Sequence, residues 1–305
     1  MNNLVTGSIS REVAGYFTKS MRRELADLID RQDKLRVSGF PFCGLKKAYE
    51  KMTFVPTAIP SDAGREFYTS VGTAAHLVFQ RWLGQGGRIW GDWKCYNKQC
   101  NHIVHFSKKR KCPKCKSEME YEEFEVKAYR HLSGHIDGVY QSTNGSFWVI
   151  DYKTSSVKNI KQHRKFGDLF PYAKNKAQIM TYCALLEEKY DIKISGWSLL
   201  YIARDDPYTI EVCSGVTPEK AKKSILRKCK QYDEQWEVIQ NLRTPADIEY
   251  LVETKPCKTR EFYNEHFKGF HGCPLEAVCF TRSIKSFATE TLKDYRKELK
   301  LLKSK

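Results

Sequence analysis

The feature of the sequence that most constrains its fold is a pair of acidic residues on either side of a hairpin signal. The segment Gly134-His-Ile-Asp137 is followed by Asn144-Gly145, a dipeptide typical of hairpin turns, and then by Val149-Ile-Asp151-Tyr-Lys153. Side chains two residues apart on a strand leave the same face, so Asp151 and Lys153 are predicted to be neighbours. Asp137 can lie opposite them on the adjacent antiparallel strand. The pattern therefore predicts two carboxylates and an ammonium group at one end of a sheet.

This trio suits phosphodiester hydrolysis. A hard cation such as Mg²⁺ or Mn²⁺ takes oxygen ligands from carboxylates, with the Tyr152 carbonyl as an extra candidate, and it activates a water molecule near the phosphate. A neighbouring lysine can orient that water or stabilise developing charge. The alternative is a surface salt bridge between Asp151 and Lys153. Because the strand that carries them is nearly continuously apolar, an unpaired carboxylate there would be costly.

The charge balance indicates a polyanionic partner. The 305 residues include 52 lysines and arginines against 36 acidic residues, a net charge of +16. Basic surfaces gain affinity for nucleic acid by releasing counterions from phosphates, although a basic surface without a partner is the alternative. The sequence has no apolar run long enough for a transmembrane helix, and its N-terminus lacks the apolar core of a secretory signal. We therefore expect an intracellular protein without a membrane partner.

Apolar periodicity and turn residues predict an α/β fold, with a mixed central sheet flanked by helices. The predicted helices cover residues 10–34, 45–52, 62–83, 173–190, 218–241 and 286–302. The predicted strands cover residues 124–129, 133–140, 146–152, 196–203 and 209–214. We divide the chain into four parts: an N-terminal helical part of the main domain at 1–88, a polar, cysteine-bearing insertion at 89–120, the catalytic core at 121–250, and a cysteine-bearing C-terminal region with a basic helix at 251–305.

Four motifs in this order resemble the PD-(D/E)XK nucleases, in the RecB-like branch that includes CRISPR-associated exonucleases and related phage exonucleases. They are a helical histidine, Gly-x-x-Asp, Asp-x-Lys and Gln-x-x-x-Tyr, here His76, Gly134 to Asp137, Asp151 with Lys153, and Gln178 with Tyr182. The resemblance implies a restriction-endonuclease-like core. It implies that His76, Asp137 and Asp151 bind Mg²⁺ or Mn²⁺, that Lys153 is catalytic, and that Gln178 and Tyr182 position water or DNA. Taken alone, His76 would be a packed core residue, and Gln178 and Tyr182 would only share a helix face.

Four of the eleven cysteines form a local pattern, Cys95-x4-Cys100-x11-Cys112-x2-Cys115. In a reducing compartment, this spacing predicts a structural zinc site of the ribbon type. The alternative is a set of exposed reduced thiols, and His102 or His105 could replace one ligand. Lysines surround the pattern, so this insertion could also touch DNA.

A second cysteine set has one early and three late members: Cys43, Cys257, Cys273 and Cys279. By the same resemblance, these residues bind a 4Fe-4S cluster that joins the two flanks of the core. A zinc site and unligated cysteines are the alternatives. The remaining cysteines, Cys183, Cys213 and Cys229, are expected to be ordinary buried or partly buried thiols.

The resemblance implies a DNA exonuclease that acts on single-stranded or end-resected DNA in recombination, repair or phage DNA processing, with recombination or replication proteins as possible partners. A structure-specific endonuclease on the same core is one alternative. A non-catalytic DNA-binding recombination module is the other. Aromatic residues such as Trp82, Trp90 and Tyr172 could line a DNA groove.

Overall fold

The computed structural model describes residues 35–39, 48, 63–108, 110–166, 173–206 and 208–242. The predicted helices at 10–34 and 286–302, most of the helix at 45–52, and Tyr172 lie outside these residues. None of the helices in the described ranges has the length and apolar character needed to cross a membrane.

A seven-stranded mixed sheet forms the centre of the fold. Its strands are β2 (Ile89–Cys95), β3 (Ile103–Ser107), β4 (Met119–Glu122), β7 (Gly138–Gln141), β8 (Phe147–Ser155), β9 (Ile194–Ala203) and β10 (Ile210–Gly215). The order is β10-β9-β8-β7-β2-β3, and β4 pairs with the other side of β2. Only β8 and β9 pair in parallel among these strands; the other pairs are antiparallel. The mixed sheet predicted from the sequence is confirmed.

A second, three-stranded sheet has the order β1-β6-β5. It contains β1 (Leu35–Arg36), which leads into a 3₁₀ turn at Val37–Gly39, then β5 (Phe124–Lys127) and β6 (Leu132–Ile136). The sequence predicted one strand over residues 133–140. Instead the chain leaves the small sheet after Ile136 and enters the large sheet at Gly138, so Asp137 lies between two strands.

The hairpin between β7 and β8 has the predicted turn. Gly145 has a φ of 84°, which glycine adopts without strain, and the side chain of Asn144 accepts a hydrogen bond from the backbone N–H of Ser146. The register pairs Gly138 with Ile150. Asp137 therefore lies beside Asp151, as the alternating pattern predicted.

Four helices lie in the described ranges: α1 (Ala63–Gly86), α2 (Val157–Phe166), α3 (Ala173–Tyr190) and α4 (Glu219–Gln240). Helix α3 packs on β8 and β9 of the large sheet and also on β5 and the 3₁₀ turn. A helix covered on several sides is apolar around much of its circumference. This explains the buried run Thr181-Tyr-Cys-Ala-Leu-Leu186.

The segment 89–120 was predicted to be a separate insertion, and most of it is a small antiparallel ribbon. Its first strand joins the ribbon to the rest of the large sheet, because Ile89 and Trp90 pair with β7. Ile89, Trp93 and Met119 form a buried cluster with two of the cysteines, and Leu83 of α1 packs against it. The sequence prediction missed this apolar cluster because the segment is rich in lysine.

The chain forms two compact units. One comprises Leu35–Pro41 with Pro60–Glu234 and includes both sheets. Of the other unit, the structure describes residue 48 and residues 235–242, the latter including the end of α4.

Candidate active site

Asp137 is fixed at the point where the chain passes from one sheet to the other. Its Oδ2 accepts a hydrogen bond from the backbone N–H of Tyr152 at 2.7 Å. Its carbonyl oxygen accepts one from the hydroxyl of Tyr121, at the end of the ribbon, at 2.9 Å. The residue is buried, with 7% of its surface exposed. Two elements therefore hold Asp137, one through its carboxylate and one through its backbone carbonyl.

Asp151 lies on β8 and is 1% exposed. Its Oδ1 accepts a hydrogen bond from Nε2 of Gln178 at 3.3 Å, and its Oδ2 lies 2.6 Å from Nζ of Lys153. The close approach of these two side chains matches the expectation that they leave the same face of the strand. Oδ2 is buried and pairs with the ammonium group of Lys153, although the contact is not a well-directed hydrogen bond. Because a second buried carboxylate lies beside it, the site can hold a cation in addition to the lysine.

His76 and Glu123 approach Asp137 from other elements. His76 is on α1, with Nδ1 3.5 Å from Asp137 Oδ2. Glu123 lies between β4 and β5, and its Oε1 accepts a hydrogen bond from Nε2 of Gln80 at 2.7 Å. One possible ligand atom from each of His76, Glu123 and Asp137 lies within 4.8 Å of the others. The sequence prediction missed Glu123, because it is one of several acids between Glu118 and Glu125 and no spacing distinguishes it.

Electrostatics make this centre unfavourable for bare carboxylates. Burial raises the pKa of Asp137 well above its usual range, and repulsion from Asp151 adds to the shift. Burial also raises the pKa of Asp151, although Lys153 opposes that change. Burial and then Lys153 lower the pKa of His76, which keeps its imidazole neutral and able to bind a cation. A divalent cation would compensate the two buried negative charges.

The donor set fits Mg²⁺ or Mn²⁺. Carboxylate oxygens predominate, and one imidazole is compatible with Mn²⁺. The sequence predicted His76, Asp137 and Asp151 as ligands. The structure groups His76 and Asp137 with Glu123, while Asp151 adjoins this group and contacts Lys153 and Gln178.

Gln178 and Tyr182 support the centre from α3. They are four residues apart and share a helix face. Gln178 contacts Asp151, whereas Tyr182 packs against Gly134, where a Cβ atom would lie 2.8 Å from a ring carbon of Tyr182. Tyr182 is 2% exposed. This burial favours a role in placing the Gly134–Asp137 segment over direct contact with DNA, and it explains why the motif begins with glycine.

An open pocket of about 440 Å³ gives access to the centre. His76 and Glu123 are two of the residues that line it. The others come from the middle of α1, the end of β8 and the residue after β9. The lining residues are Gly72, Thr73, His76, Leu77, Glu123, Thr154 and Arg204.

The ribbon brings the four local cysteines together. Sγ of Cys95 lies 3.4 Å from that of Cys115, and Sγ of Cys100 lies 3.7 Å from that of Cys112. All four sulfurs lie within 4.8 Å of one another. A tetrahedral zinc ion with Zn–S bonds of about 2.3 Å needs sulfurs about 3.8 Å apart, so these separations fit one shared ion.

The backbone around these cysteines also has the form of two metal-binding knuckles. The residues that follow the second cysteine of each pair, Asn101 and Lys116, have φ values of 45° and 64°. Each lets the chain turn back beneath the sulfurs, with Asn101 N–H donating to Asn97 and Lys116 N–H to Cys112. His105 does not join the cluster; its Nδ1 lies 3.0 Å from Oδ2 of Asp92. The second cysteine set, Cys43, Cys257, Cys273 and Cys279, lies outside the described residues.

Comparison with solved structures gives distant likenesses. The crystal structure of SSO0001 is 15% identical, with coverage of 75% of this chain and 87% of that chain and a TM-score of 0.40. A crystal structure of LHK-Exo in complex with dAMP is 12% identical, covering 78% of this chain and 97% of its own, with a TM-score of 0.40. A second structure of this alkaline exonuclease, from Laribacter hongkongensis, is 12% identical, covering 77% and 96%, with a TM-score of 0.39. No curated protein matches the sequence.

A family model gives a stronger result. The model of the PD-(D/E)XK nuclease superfamily matches residues 97–280, more than half of the chain. This range contains Asp137, Asp151 with Lys153, and the Gln178–Tyr182 pair, whereas His76 lies before it. The chain therefore belongs to the PD-(D/E)XK nuclease superfamily.

Proposed function

We propose that this protein is a metal-dependent DNA exonuclease with its catalytic centre at Asp137, Asp151 and Lys153. The observation that carries the proposal is the pair of buried carboxylates, Asp137 and Asp151, with Glu123 nearby and one ammonium group, that of Lys153, 2.6 Å from Asp151 Oδ2. A folded protein retains such a costly arrangement when a cation compensates it. Membership of a nuclease superfamily makes phosphodiester hydrolysis the matching reaction.

In this proposal His76, Asp137 and Asp151 hold Mg²⁺ or Mn²⁺, and Glu123 is an additional oxygen ligand. The ion would neutralise the scissile phosphate and lower the pKa of an attacking water molecule. Gln178 keeps Asp151 in its orientation through the hydrogen bond to Oδ1. Lys153 stands beside Oδ2, where its side chain can orient the water or stabilise charge on the phosphate.

DNA is the proposed substrate because the chain carries a net charge of +16 and the superfamily is one of nucleases. The exonuclease activity rests on the set of motifs from His76 to Tyr182. We propose single-stranded or end-resected DNA as the preferred form, in recombination, repair or phage DNA processing. Proteins of recombination or replication are the proposed partners.

We further propose that the ribbon cysteines Cys95, Cys100, Cys112 and Cys115 bind a structural zinc ion. Their sulfur separations and backbone turns support one shared tetrahedral ion. A 4Fe-4S cluster at Cys43, Cys257, Cys273 and Cys279 stays a prediction from the resemblance. Metal analysis of anaerobically purified protein tests the zinc site and the iron–sulfur site separately. Zinc together with iron and sulfide supports both sites. Zinc without iron contradicts the iron–sulfur assignment.

The central experiment follows degradation of linear DNA labelled at the 5′ or the 3′ end, single- and double-stranded, with Mg²⁺ or Mn²⁺. Covalently closed single-stranded circles are included as substrates without ends. We expect the wild type to degrade linear DNA from an end and to leave the circles intact. Asp151→Asn, which keeps the shape of the side chain but loses its charge, should lower the rate roughly a hundredfold or more.

Asp191→Asn is the matched control, because Asp191 is exposed between α3 and β9 and asparagine tolerates its φ of 53°. This variant should cleave at the wild-type rate. Cutting of the circles would contradict the exonuclease proposal and favour an endonuclease. Wild-type protein that binds DNA but cleaves none of these substrates with either cation would contradict the nuclease proposal and favour a binding module.

A further inference from the structure

The residues that line the pocket beside the candidate site fall into two chemical groups. His76 and Glu123 belong to the group of possible cation ligands around Asp137. Thr154, Arg204 and Thr73 of α1 also line the pocket and can donate hydrogen bonds. Among the residues that line this pocket, Arg204 carries the one permanent positive charge.

Arg204 is placed by the end of the parallel strand pair. It directly follows β9, and its backbone N–H donates to the carbonyl of Ser155, the last residue of β8, at 2.8 Å. The register pairs Lys153 with Tyr201 and Ser155 with Ala203. The same strand ends therefore fix Lys153 and Arg204, so that Arg204 is positioned on the scaffold of the catalytic centre.

Thr154 follows Lys153 on β8 and faces the other side of the strand from Asp151 and Lys153. That side is covered by α1. A Cβ atom at Gly72 of α1 would lie 3.0 Å from Oγ1 of Thr154, so the glycine leaves room for this hydroxyl at the pocket wall. The pocket thus presents a hydroxyl donor together with a guanidinium group, a combination that suits phosphate oxygens.

Asp151 is almost fully buried, whereas His76 and Glu123 are partly exposed where they line the pocket. A phosphate that reaches the cation ligands from this pocket has Thr154 and Arg204 in the same pocket lining, where the next phosphate along the strand can bind. We propose that Arg204, with Thr154, binds the phosphate next to the scissile one and so sets the register of the strand. This inference rests on the proposed nuclease function and names a phosphate subsite for it.

The test combines a change in the protein with a change in the substrate. Single-stranded oligonucleotides carry one methylphosphonate, an uncharged replacement for a phosphate, next to the scissile linkage on either side or several linkages away. Release of the first product is measured under single-turnover conditions for the wild type, Arg204→Gln and Arg227→Gln. Arg227 is an exposed arginine of α4 outside the pocket lining and serves as the matched control.

For the wild type and Arg227→Gln, we expect a methylphosphonate at one of the two adjacent positions to lower the catalytic efficiency, relative to unmodified DNA. The efficiency is the single-turnover rate constant divided by the dissociation constant, and it should fall roughly ten- to hundredfold. Arg204→Gln should lose a similar factor on unmodified DNA and nothing further on the modified strand. The slope of log affinity against log salt should fall by about 0.7 in this variant. Arg204→Lys should restore part of the loss, because lysine keeps the charge without the planar fork.

Two results would overturn the subsite. One is a methylphosphonate penalty in Arg204→Gln as large as in the wild type, which would give Arg204 a purely structural role. The other is the absence of a penalty at both adjacent positions in the wild type. If the wild type cleaved no DNA at all, the proposed function would fail separately. In that case, the subsite would be tested by equilibrium binding of the same oligonucleotides. A methylphosphonate should then weaken binding to Arg227→Gln but not to Arg204→Gln.

Discussion

At the scale of single residues, Asp137 has the most constrained position in the candidate site. Its carboxylate accepts a hydrogen bond from the backbone N–H of Tyr152, and its carbonyl accepts one from the hydroxyl of Tyr121. The residues before and after Asp137 in the chain lie in different sheets. Burial raises its pKa well above the unfolded value of about 4. In the ion-free protein, this residue therefore favours folding when it is protonated, and its contribution to stability is lost as the pH rises through the raised pKa.

A bound cation reverses this relation, because it requires the ionised carboxylate. We predict that Mn²⁺ raises the melting temperature of the wild type more at pH 8 than at pH 5, where protons compete with the ion. Asp137→Asn should be at least as stable as the wild type without cation at pH 8. Each kcal/mol added to the free energy of unfolding raises the melting temperature by roughly 2–4 °C. The variant should gain little from Mn²⁺.

Thermal unfolding with and without Mn²⁺ at the two pH values measures both effects. Asp191→Asn should respond to the ion like the wild type. An Asp137→Asn variant with the full wild-type shift at pH 8 would remove Asp137 from the ligand set.

At the scale of elements, the sequence predicted those segments whose own residues determine their structure. Apolar periodicity located α3 and α4 to within two residues at either end, and Asn144-Gly145 located the hairpin. The break at Asp137 was missed, because β6 and β7 form a continuous strand-like run and only pairing with two different sheets separates them. Helix α2 was missed because its many lysines and polar residues hide an N-cap at Ser156, whose hydroxyl accepts from Asn159 N–H.

The contact between α3 and β6 gives the glycine of the Gly-x-x-Asp motif a physical role. A Cβ atom at Gly134 would lie 2.8 Å from the Tyr182 ring on one side and 2.9 Å from Cβ of Val37 on the other. We predict that Gly134→Ala lowers the free energy of unfolding by roughly 1–3 kcal/mol through overpacking. Denaturant unfolding measures this. Gly86→Ala is the control, because nothing lies within 4 Å of a Cβ there. Equal stability of both variants would refute the packing role.

The ribbon contacts the candidate site through the end of β4. Tyr121 donates to the carbonyl of Asp137, and its ring occupies the space left by Gly91. We predict that Tyr121→Phe slows DNA cleavage by roughly ten- to hundredfold, because a small displacement of Asp137 misplaces the centre. The loss of one hydrogen bond should lower stability by only about 1 kcal/mol. Cleavage kinetics with saturating Mn²⁺ measure the effect.

Tyr96→Phe is the matched control, because Tyr96 is a ribbon tyrosine that is 73% exposed. It should cleave at the wild-type rate. If Tyr121→Phe cleaves as fast as this control, the hydrogen bond to Asp137 has no part in activity.

At the scale of the whole molecule, the candidate site gathers segments that lie far apart in the chain. The sequence motifs predicted His76, Asp137, Asp151 with Lys153, and the Gln178–Tyr182 pair as site residues, because their chemistry and order form a pattern. Glu123 and Arg204 belong to no such pattern. Their places follow from the pairing of β4 with β2 and of β8 with β9, and a single sequence does not reveal these long-range pairings.

The ribbon is linked to the candidate site through Tyr121 and Glu123, and this link can be tested at Cys112. Cys112 is fully buried among the four thiols, and β4 follows it within a few residues. Replacing it with serine should abolish binding of the zinc ion and loosen β4. Because Tyr121 and Glu123 are carried by the end of that strand, cleavage should fall at least as far as in Tyr121→Phe. The core built on β8, β9 and α3 should still fold.

Zinc content, circular dichroism and cleavage rate of Cys112→Ser provide the measurement. Cys213→Ser, at a partly exposed cysteine of the edge strand β10, should match the wild type in all three. A zinc-free Cys112→Ser variant that cleaves at the wild-type rate would make the ribbon independent of the catalytic centre. Complete loss of helical signal would instead make the ribbon a requirement for folding. The predicted result, folded protein with slow cleavage, identifies the zinc ribbon as the element that positions Tyr121 and Glu123.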